Sequence, residues 1–364
     1  MEFVDMYEYV GKARTMGDGF LDKANELVES SSYKLVDGER GLVKEVPMSI
    51  GEEILACIYL FIFPGCMFWL PLVFLAISSY LCYTIYLGIS LGTSITSSLT
   101  LLTLLITNIL FLTLTRTTFT SSLYTSSYAL TLLRYFSFKL IFEDEPAPKR
   151  NYIFIGLPHG VLPFGNFLSM ITTYYMSKYP LRGLASDAAF FAPVFRQFCT
   201  WFGCVSASKS SALEQLSSSQ SIGIAPDGVA GIFHTNSKDQ IVFIQKRKGF
   251  VRLAIETGTP LVPTYIFGNT DLFNVWYDEG GFFKQLSRMF GFGLIILWGR
   301  FGLPIMKRVP LSVVLGTPLE VVQNSKPSKE YVEAVHEQFL VSSKQLFDKY
   351  KGYYGWEDKQ IIFV

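Results

Sequence analysis

A histidine flanked by glycine and proline is the residue of this chain best suited to chemistry. His159 lies in the run Gly-Leu-Pro-His-Gly, residues 156–160, directly after the short apolar run 152–155. In α/β folds ligands bind at the carboxyl ends of strands, and glycine lets a ligand approach the backbone closely. Imidazole titrates near neutral pH, at about 6.5, so it can take a proton from a hydroxyl group. The local pattern alone fits a catalytic base and a loop histidine satisfied by its neighbours equally well.

The other chemically capable residues do not form a recognisable cluster. His336 falls on an amphipathic C-terminal pattern that predicts a surface or packing residue, and His234 lies in a polar loop. Cys199 and Cys204 are separated by four residues, which matches neither a zinc motif nor a disulfide framework. We therefore expect no metal site and no resident cofactor.

The elements around His159 predict alternating strands and helices. Short apolar runs at 152–155, 222–225, 261–267 and 311–315 have the length of buried strands. Between them, residues 250–257 have helical spacing and stop at Gly258, a typical C-terminal cap, and Ser328 can cap a last helix. Strands alternating with helices predict an α/β layer fold from residue 151 onward. The apolar stretch 291–299 is too short to span a membrane and fits either core or a membrane-dipping element.

A long uncharged segment precedes this domain. Between Glu53 and Arg116 lie 62 residues without one Asp, Glu, Lys, Arg or His. About 20 apolar residues cross a bilayer as a helix, so we expect a transmembrane hairpin made of a kinked segment at 54–87 and a second at 97–115. Similar numbers of basic residues flank both ends, which predicts an even number of crossings with both termini cytosolic. A buried hairpin of a large soluble protein is the alternative.

Four regions follow from these patterns. We expect a polar extension at 1–50, the hairpin at 51–118, an interfacial segment and a charged linker at 119–150, and a globular domain at 151–364. The N-terminus is acidic and lacks the apolar core of a secretory signal, so targeting falls to the hairpin. The endoplasmic reticulum membrane is the expected location, with a plastid or a lipid-droplet surface left open.

Charge is distributed unevenly. Residues 1–53 carry 12 acids and 6 bases, whereas residues 116–364 carry 18 acids and 25 bases. The second part is therefore basic by 7, which suits anionic headgroups or a phosphorylated substrate. The expected partner is a lipid bilayer, and no nucleic-acid partner is predicted.

Several motifs together resemble one enzyme family. Pro158-His159-Gly160 is followed by Lys-Gly-Phe-Val-Arg-Leu-Ala at 248–254, Phe-Gly-Asn at 267–269, Arg-Phe-Gly-Leu-Pro-Ile at 300–305 and Leu-Phe-Asp-Lys-Tyr-Lys at 346–351. In this order the motifs resemble the type-two diacylglycerol acyltransferases, a family that includes monoacylglycerol and wax-alcohol acyltransferases. The similarity covers roughly residues 50–360. It implies an acyltransferase-like domain, with a mixed sheet flanked by helices, behind the hairpin.

Two positions depart from the family pattern. The family usually has His-Pro-His-Gly, and here Leu157 stands in place of the first histidine, while His159 keeps the position of the second. The family's Gly-Gly-x-x-Glu type segment has its counterpart in Pro-Asp-Gly-Val-Ala-Gly, residues 226–231, with Gly231 where glutamate is common. If that glutamate assists the base, another acid must replace it, with Asp227 as first candidate and Glu256 as second.

The resemblance implies direct acyl transfer from acyl-CoA to a lipid hydroxyl, with diacylglycerol as the expected acceptor and triacylglycerol as the product. His159 would act as base, and backbone N–H groups near Gly160 or Gly228 would hold the oxyanion. The basic residues before the helix at 249 suit the phosphates of CoA. The expected catalytic residues are His159, Gly160, Asp227 and Glu256, and the expected substrate-binding residues are Pro158, Gly228, Lys246, Arg247, Lys248, Gly249, Phe250 and Asn269.

Other functions stay open at this point. The acceptor could be monoacylglycerol or a wax alcohol. A lysophospholipid acyltransferase would carry Asp five positions after the catalytic histidine, where this chain has Phe164. A non-enzymatic alternative is a hairpin-anchored lipid-droplet protein that lost activity with Leu157 and Gly231.

Overall fold

A computed structural model describes most of the chain from residue 45 onward. The described residues are 2–3, 45–92, 96, 98–100, 102–103, 105–106, 118–144, 150–177, 181–191, 195–235, 238–276, 281–290 and 295–364. The predicted second transmembrane segment at 97–115 lies largely outside them, as do nearly all of the N-terminal extension and most of the charged linker. The hairpin is therefore a prediction of which the structure describes the first part.

Two helices replace the single kinked segment predicted at 54–87. Helix α1, Ile50–Ile62, begins with a capping box in which the Ser49 side chain accepts from the backbone N–H of Glu52 while the Glu52 carboxylate accepts from that of Ser49. The helix ends before Pro64, and α2, Cys66–Leu91, runs to a left-handed cap at Gly92. At 1.5 Å per residue α2 is about 39 Å long, enough to cross the hydrocarbon core. In length and composition α2 qualifies as a membrane span, and few of its side chains are buried.

A mixed sheet forms the centre of the domain. Its eight described strands run in the order β1-β2-β11-β8-β3-β6-β4-β5. Their ranges are β1 Glu2–Phe3, β2 Lys139–Phe142, β3 Ile153–Leu157, β4 Arg182–Ala185, β5 Val205–Ser206, β6 Ile222–Ile224, β8 Leu261–Phe267 and β11 Ser312–Leu315. The middle strands β8, β3, β6 and β4 are mutually parallel, whereas β11 runs antiparallel to β8. Two smaller pairs lie outside this sheet, β7 Gln240–Val242 with β12 Ile361–Phe363 and β9 Asn274–Trp276 with β10 Ile296–Trp298.

Helices cover both faces of the sheet, and the core is correspondingly divided in two. Alternate residues of β3 point to opposite sides, so Ile153 and Ile155 belong to one apolar cluster and Phe154 to the other. The remaining helices are α3 Ser127–Tyr135, α4 Phe164–Ser177, α5 Asp187–Phe191, α6 Phe195–Trp201, α7 Lys209–Ser217, α8 Gly228–Ile232, α9 Gly249–Thr257, α10 Phe282–Phe290 and α11 Lys329–Tyr350. Helices α3, α4 and α6 pack with Phe154, and α7, α9 and α11 pack on the other face. The predicted α/β fold with a mixed, helix-flanked sheet is confirmed.

One region differs from its prediction. Within the stretch at 119–150, expected to be an interfacial segment and a linker, residues 127–142 contribute α3 and β2 to the domain. Ala129, Leu132 and Leu133 are fully buried in the apolar cluster, where α3 contacts α1 and α4, and β2 pairs with β11. The Ser, Thr and Tyr content of this segment conceals a short apolar stripe on one side of α3, which is what decides its position.

Candidate active site

Three neighbouring parallel strands end at one place. β3 leads into His159, β6 leads into Asp227, and β8 leads into Asn269. The three residues are far apart in sequence, yet their loops meet because the carboxyl ends of parallel strands share one edge of a sheet. The position agrees with the sequence prediction for His159.

The contacts of His159 define which ring nitrogen can act as a base. Its Nδ1 lies 2.8 Å from the carbonyl oxygen of Gly160. A carbonyl only accepts, so Nδ1 carries the proton and donates it to this oxygen. Nε2 is then left with a free lone pair in the neutral ring. His159 lines a cavity, so the geometry provides a proton acceptor at a cavity wall.

Asp227 is completely buried beside the histidine loop. Its Oδ2 accepts a hydrogen bond of 2.9 Å from the backbone N–H of His159. Burial raises the pKa of this carboxyl group above its ordinary value, while the positive charge of a protonated His159 and nearby backbone N–H groups act in the opposite direction. Asp227 therefore holds the backbone of the loop and places a titratable carboxyl group close to the imidazole.

Asn269 fixes the loop from the other side. Its Nδ2 donates to the carbonyl oxygens of Pro158, His159 and Leu162 at 3.2, 2.6 and 3.2 Å, and its Oδ1 accepts from the N–H of Gly165. Gly160 has φ of +63°, and a Cβ there would lie 2.9 Å from the Asn269 amide nitrogen. The side chain predicted to bind substrate is thus a clamp that shapes the His159 loop.

A largely apolar cavity of about 600 Å³ opens onto His159. Its floor includes Gly183 and Gly223 of the sheet, and its wall includes α4. The N-terminal part of α2 also lines it, through Cys66, Phe68 and Leu70. The cavity therefore connects the proton acceptor at His159 with the helix long enough to span a membrane. Sequence reasoning missed the lining role of α2, because its residues carry only the apolar signal of a span.

The basic segment before α9 divides into residues with different surroundings. Arg247 lines the cavity. Lys246 is exposed, whereas the Lys248 ammonium lies 2.7 Å from the carboxylate of Glu333 on α11. Gly249 begins α9, and Phe250 is buried in the apolar cluster against Phe339. Of this predicted set, Arg247 is the side chain that reaches the cavity, and Phe250 is a core residue.

The predicted alternative acid, Glu256, is directed elsewhere. Its carboxylate forms an ion pair of 2.6 Å with Lys209 on α7, and it is not among the residues that line the cavity. Position 256 lies on the side of α9 that faces α7, which the sequence pattern did not reveal. Asp227 is the acid that the fold brings to His159.

The two departures from the family pattern have clear surroundings. Leu157 is buried in the cluster on the face opposite Phe154, so its side chain contributes to packing. Gly231 lies against Asp227, where a Cβ would approach Oδ2 to 2.6 Å. A larger residue at position 231 would thus require Asp227 to move, so Gly231 and the buried Asp227 fit together.

The other histidines lie outside the cavity lining. His336 is buried with Nε2 at 3.2 Å from the carbonyl oxygen of Ile244, and burial lowers its pKa. The ring of His234 packs near that of Phe243. Within the described parts of the chain, no group of three His, Cys, Asp or Glu side chains is arranged to hold a metal ion.

The two comparisons of sequence point to one family. A sequence model described as Diacylglycerol acyltransferase matches residues 93–364. The bovine 2-acylglycerol O-acyltransferase 1 is 33% identical over 63% of this chain and 74% of its own, and the human acyl-CoA wax alcohol acyltransferase 1 is 31% identical over 63% and 75%. The zebrafish (Danio rerio) diacylglycerol O-acyltransferase 2 is 30% identical over 63% and 69%. Among solved structures, the 1-acyl-sn-glycerophosphate acyltransferase PlsC of Thermotoga maritima has a TM-score of 0.40 and 14% identity, over 83% of this chain and 98% of its own. The family match covers the part of the chain that carries His159, Asp227 and Asn269, and the chain is an acyltransferase that belongs to the diacylglycerol acyltransferase family.

Proposed function

We propose that this protein transfers a fatty acyl group from acyl-CoA to the hydroxyl group of diacylglycerol, releasing triacylglycerol. The observation that carries the proposal is the cavity that joins His159 to α2 and to Arg247. A lipid acceptor reaches His159 from the membrane along the apolar lining, whereas a water-soluble anionic donor is met by a basic side chain at the same cavity.

In the proposed mechanism His159 is a general base. Nε2 removes the proton from the acceptor hydroxyl while its oxygen attacks the thioester carbonyl, and the C–S bond breaks as the CoA thiolate leaves. The imidazolium then returns the proton to the thiolate sulfur. The Nδ1–H donor to Gly160 keeps the ring oriented throughout. Backbone N–H groups around Gly160 and Gly228 supply donors for the oxyanion.

The binding site for acyl-CoA is assigned from the positions of basic side chains. Arg247 lines the cavity, and Lys246 lies exposed next to it just before the N-terminus of α9. A guanidinium group together with free N–H groups at a helix start suits the phosphates of CoA. Lys248 is held by Glu333, so we assign the phosphate contact to Arg247 first.

The identity of the lipid that accepts the acyl group is the most specific part of the proposal. Relatives of this chain carry names that refer to 2-acylglycerol, wax alcohol and diacylglycerol, and each of these presents a hydroxyl group on an apolar body. A lysophospholipid acceptor is disfavoured because Phe164, at the position of that family's aspartate, is a fully buried core residue. The apolar lining beside α2 supports a neutral lipid.

The proposed location is the endoplasmic reticulum membrane, with two crossings, both termini in the cytosol and the domain on the cytosolic side. The uncharged run of 62 residues and the length of α2 support a spanning anchor. A cytosolic domain would meet acyl-CoA in water and the acceptor in lipid.

An acceptor panel tests the proposal directly. Purified protein in phosphatidylcholine vesicles is given radiolabelled palmitoyl-CoA with diacylglycerol, monoacylglycerol, a long-chain alcohol or lysophosphatidate, and products are separated by thin-layer chromatography. We expect labelled triacylglycerol as the main product. A preference for another acceptor would revise the substrate, and no product from any acceptor would favour an inactive lipid-binding scaffold.

A further inference from the structure

Helix α1 has an apolar stripe that no described part of the chain covers. Ala56 and Leu60 face the core, whereas the other side carries Ile50, Ile54 and Ile58 at four-residue spacing, all exposed. Phe61 and Ile62 continue the stripe. Single exposed apolar residues are common on proteins, but a continuous stripe of them indicates an interaction surface.

The stripe forms one wall of an open groove of about 700 Å³. The other wall comes from the loop after β10, with Phe301 and Ile305. The ring of Phe301 is 71% exposed, and its backbone has φ of +58°, a conformation that is unfavourable for a bulky residue. At the polar edge, the carboxylate of Glu53 pairs with Arg300 at 2.5 Å and with Arg308 at 3.6 Å. The groove is thus apolar, with its charges already paired.

The hairpin of β9 and β10 extends this surface. Val275 and Leu297 point inward and pack with the core, whereas Trp276, Ile296 and Trp298 alternate to the outside and are exposed. Trp298 is two residues before Arg300. At Gly299 between them a Cβ would overlap the carbonyl of Ile305, so the strand and the groove loop are held tightly together.

The same region is joined to the spanning helix. Only residues 63–65 separate α1 from α2, and the indole N–H of Trp69 donates to the carbonyl oxygen of Phe61 at 2.8 Å. Phe68 of α2 contacts Phe273, which directly precedes β9, with ring centroids 5.6 Å apart. The exposed apolar surface therefore continues from the N-terminal end of α2.

We propose that α1, the Arg300–Leu303 loop and the outer side of the β9–β10 hairpin form one face that sinks into a leaflet of a phospholipid bilayer. This bilayer-facing surface combines aliphatic side chains with two tryptophans, the residue type enriched at the membrane–water boundary. Its paired charges at Glu53, Arg300 and Arg308 lie at headgroup level. The face seats the domain against the membrane beside α2, where the cavity opens.

Tryptophan quenching by lipids with brominated chains tests the proposal. The chain has five tryptophans, of which Trp69 is on α2 and Trp201 on α6. Replacing these two with phenylalanine leaves Trp276 and Trp298 on the proposed face and the buried Trp356 on the opposite side of the sheet as internal control. The variant is reconstituted into vesicles of phosphatidylcholine with bromine near the glycerol end or near the methyl end of the chains.

If the face is embedded, shallow bromines remove about two thirds of the emission, the share of two interfacial tryptophans among three, and aqueous iodide removes little. Trp276→Phe and Trp298→Phe each reduce the quenched fraction, whereas Trp356→Phe removes unquenched emission and therefore raises the quenched fraction. In the same background Phe301→Trp adds a further emission that shallow bromines quench.

The opposite pattern would overturn the proposal: emission quenched by iodide and insensitive to bromolipid places the face in water. Emission insensitive to both quenchers, with cross-linking between differently tagged copies, would assign the face to a second copy of the chain. A thermal melt of each variant in detergent verifies folding. The measurement needs no enzymatic activity, so its outcome is independent of the acceptor panel.

Discussion

At the scale of single residues, His159 is the group on which the proposed chemistry depends. The base in such a step contributes about 100-fold to 10,000-fold to the rate, so we expect His159→Ala to lower kcat by at least about 100-fold. Because the ring makes its hydrogen bond within its own turn, the substitution should leave the melting temperature nearly unchanged. Initial rates with palmitoyl-CoA and diacylglycerol measure the effect. His234→Ala, which alters a histidine outside the cavity lining, serves as control, and wild-type rates for His159→Ala would exclude it as the base.

Replacing Asp227 with asparagine separates the role of its charge from the role of its hydrogen bond, because asparagine keeps an oxygen that can accept from the N–H of His159. We expect Asp227→Asn to lower kcat about tenfold, equivalent to losing ~1.4 kcal/mol of transition-state stabilisation. Asp239→Asn, which removes a carboxylate that accepts from the N–H of Gln360, should retain wild-type rates. Equal activity of Asp227→Asn and wild type would show that Asp227 only holds the backbone of the His159 loop.

Asp227→Asn is also expected to change how the stability of the protein depends on pH. Burial raises the pKa of Asp227 in the folded protein, so the wild-type carboxyl group contributes stability that is fully present below the unfolded pKa of about 3.9 and is lost as pH rises through the folded pKa. Asparagine lacks this titration. Asp227→Asn should therefore gain stability relative to wild type at pH 7.5 and lose that advantage towards pH 4.5, as measured by thermal unfolding in detergent. A constant difference at both pH values would contradict the raised pKa.

At the scale of elements, the sheet sets the space for the acyl chain. Gly223 on β6 lies on the cavity floor, and a Cβ there would meet only Leu181, at 3.8 Å. Valine at this position suits a strand but fills part of the cavity. Because the valine side chain would take space from a long acyl chain, we expect Gly223→Val to lower kcat/KM for palmitoyl-CoA about tenfold, equivalent to ~1.4 kcal/mol of lost transition-state stabilisation, and to leave octanoyl-CoA nearly unaffected. Gly352→Val, at a glycine with open space, is the matched control, and a chain-length profile like that of wild type would place the acyl chain elsewhere.

The elements also show where sequence reasoning succeeds and where it stops. β3, β6, β8 and β11 were predictable because short apolar runs bounded by turn residues have few other solutions, and Gly258 caps α9 as its position indicated. The sequence did not reveal where the Glu256 side chain points, because the direction of a helical side chain depends on the element packed against it. Here that element is α7, which carries Lys209. The burial of α3 in the domain was not predicted, because a helix of nine residues gives only a weak periodic pattern of apolar residues and Ser and Thr obscure it.

At the scale of the whole molecule, the order of the strands is the information that local patterns lack. β3 pairs with β6 and β8, which lie about 70 and 110 residues further along the chain, and these pairings bring Asp227 and Asn269 to His159. The resemblance to a family supplied these residues as candidates, but the clamp formed by Asn269 and the fit of Gly231 to Asp227 depend on distances between loops. The apolar run indicated a membrane anchor and gave no sign that α2 also lines the catalytic cavity.

That dual role of α2 leads to a test of how the two substrates meet. Leu70 lines the cavity, whereas Leu72 on the same helix is exposed and lies outside the lining. If the acceptor passes along α2 from the bilayer, Leu70→Trp should raise the apparent KM for diacylglycerol in vesicles about fivefold, equivalent to ~1 kcal/mol of lost binding, while KM for palmitoyl-CoA changes little. Leu72→Trp should behave as wild type for both substrates. Initial rates against the mole fraction of diacylglycerol decide the point, and an effect of Leu70→Trp confined to palmitoyl-CoA would mean that the donor, rather than the acceptor, occupies the side of the cavity next to the membrane.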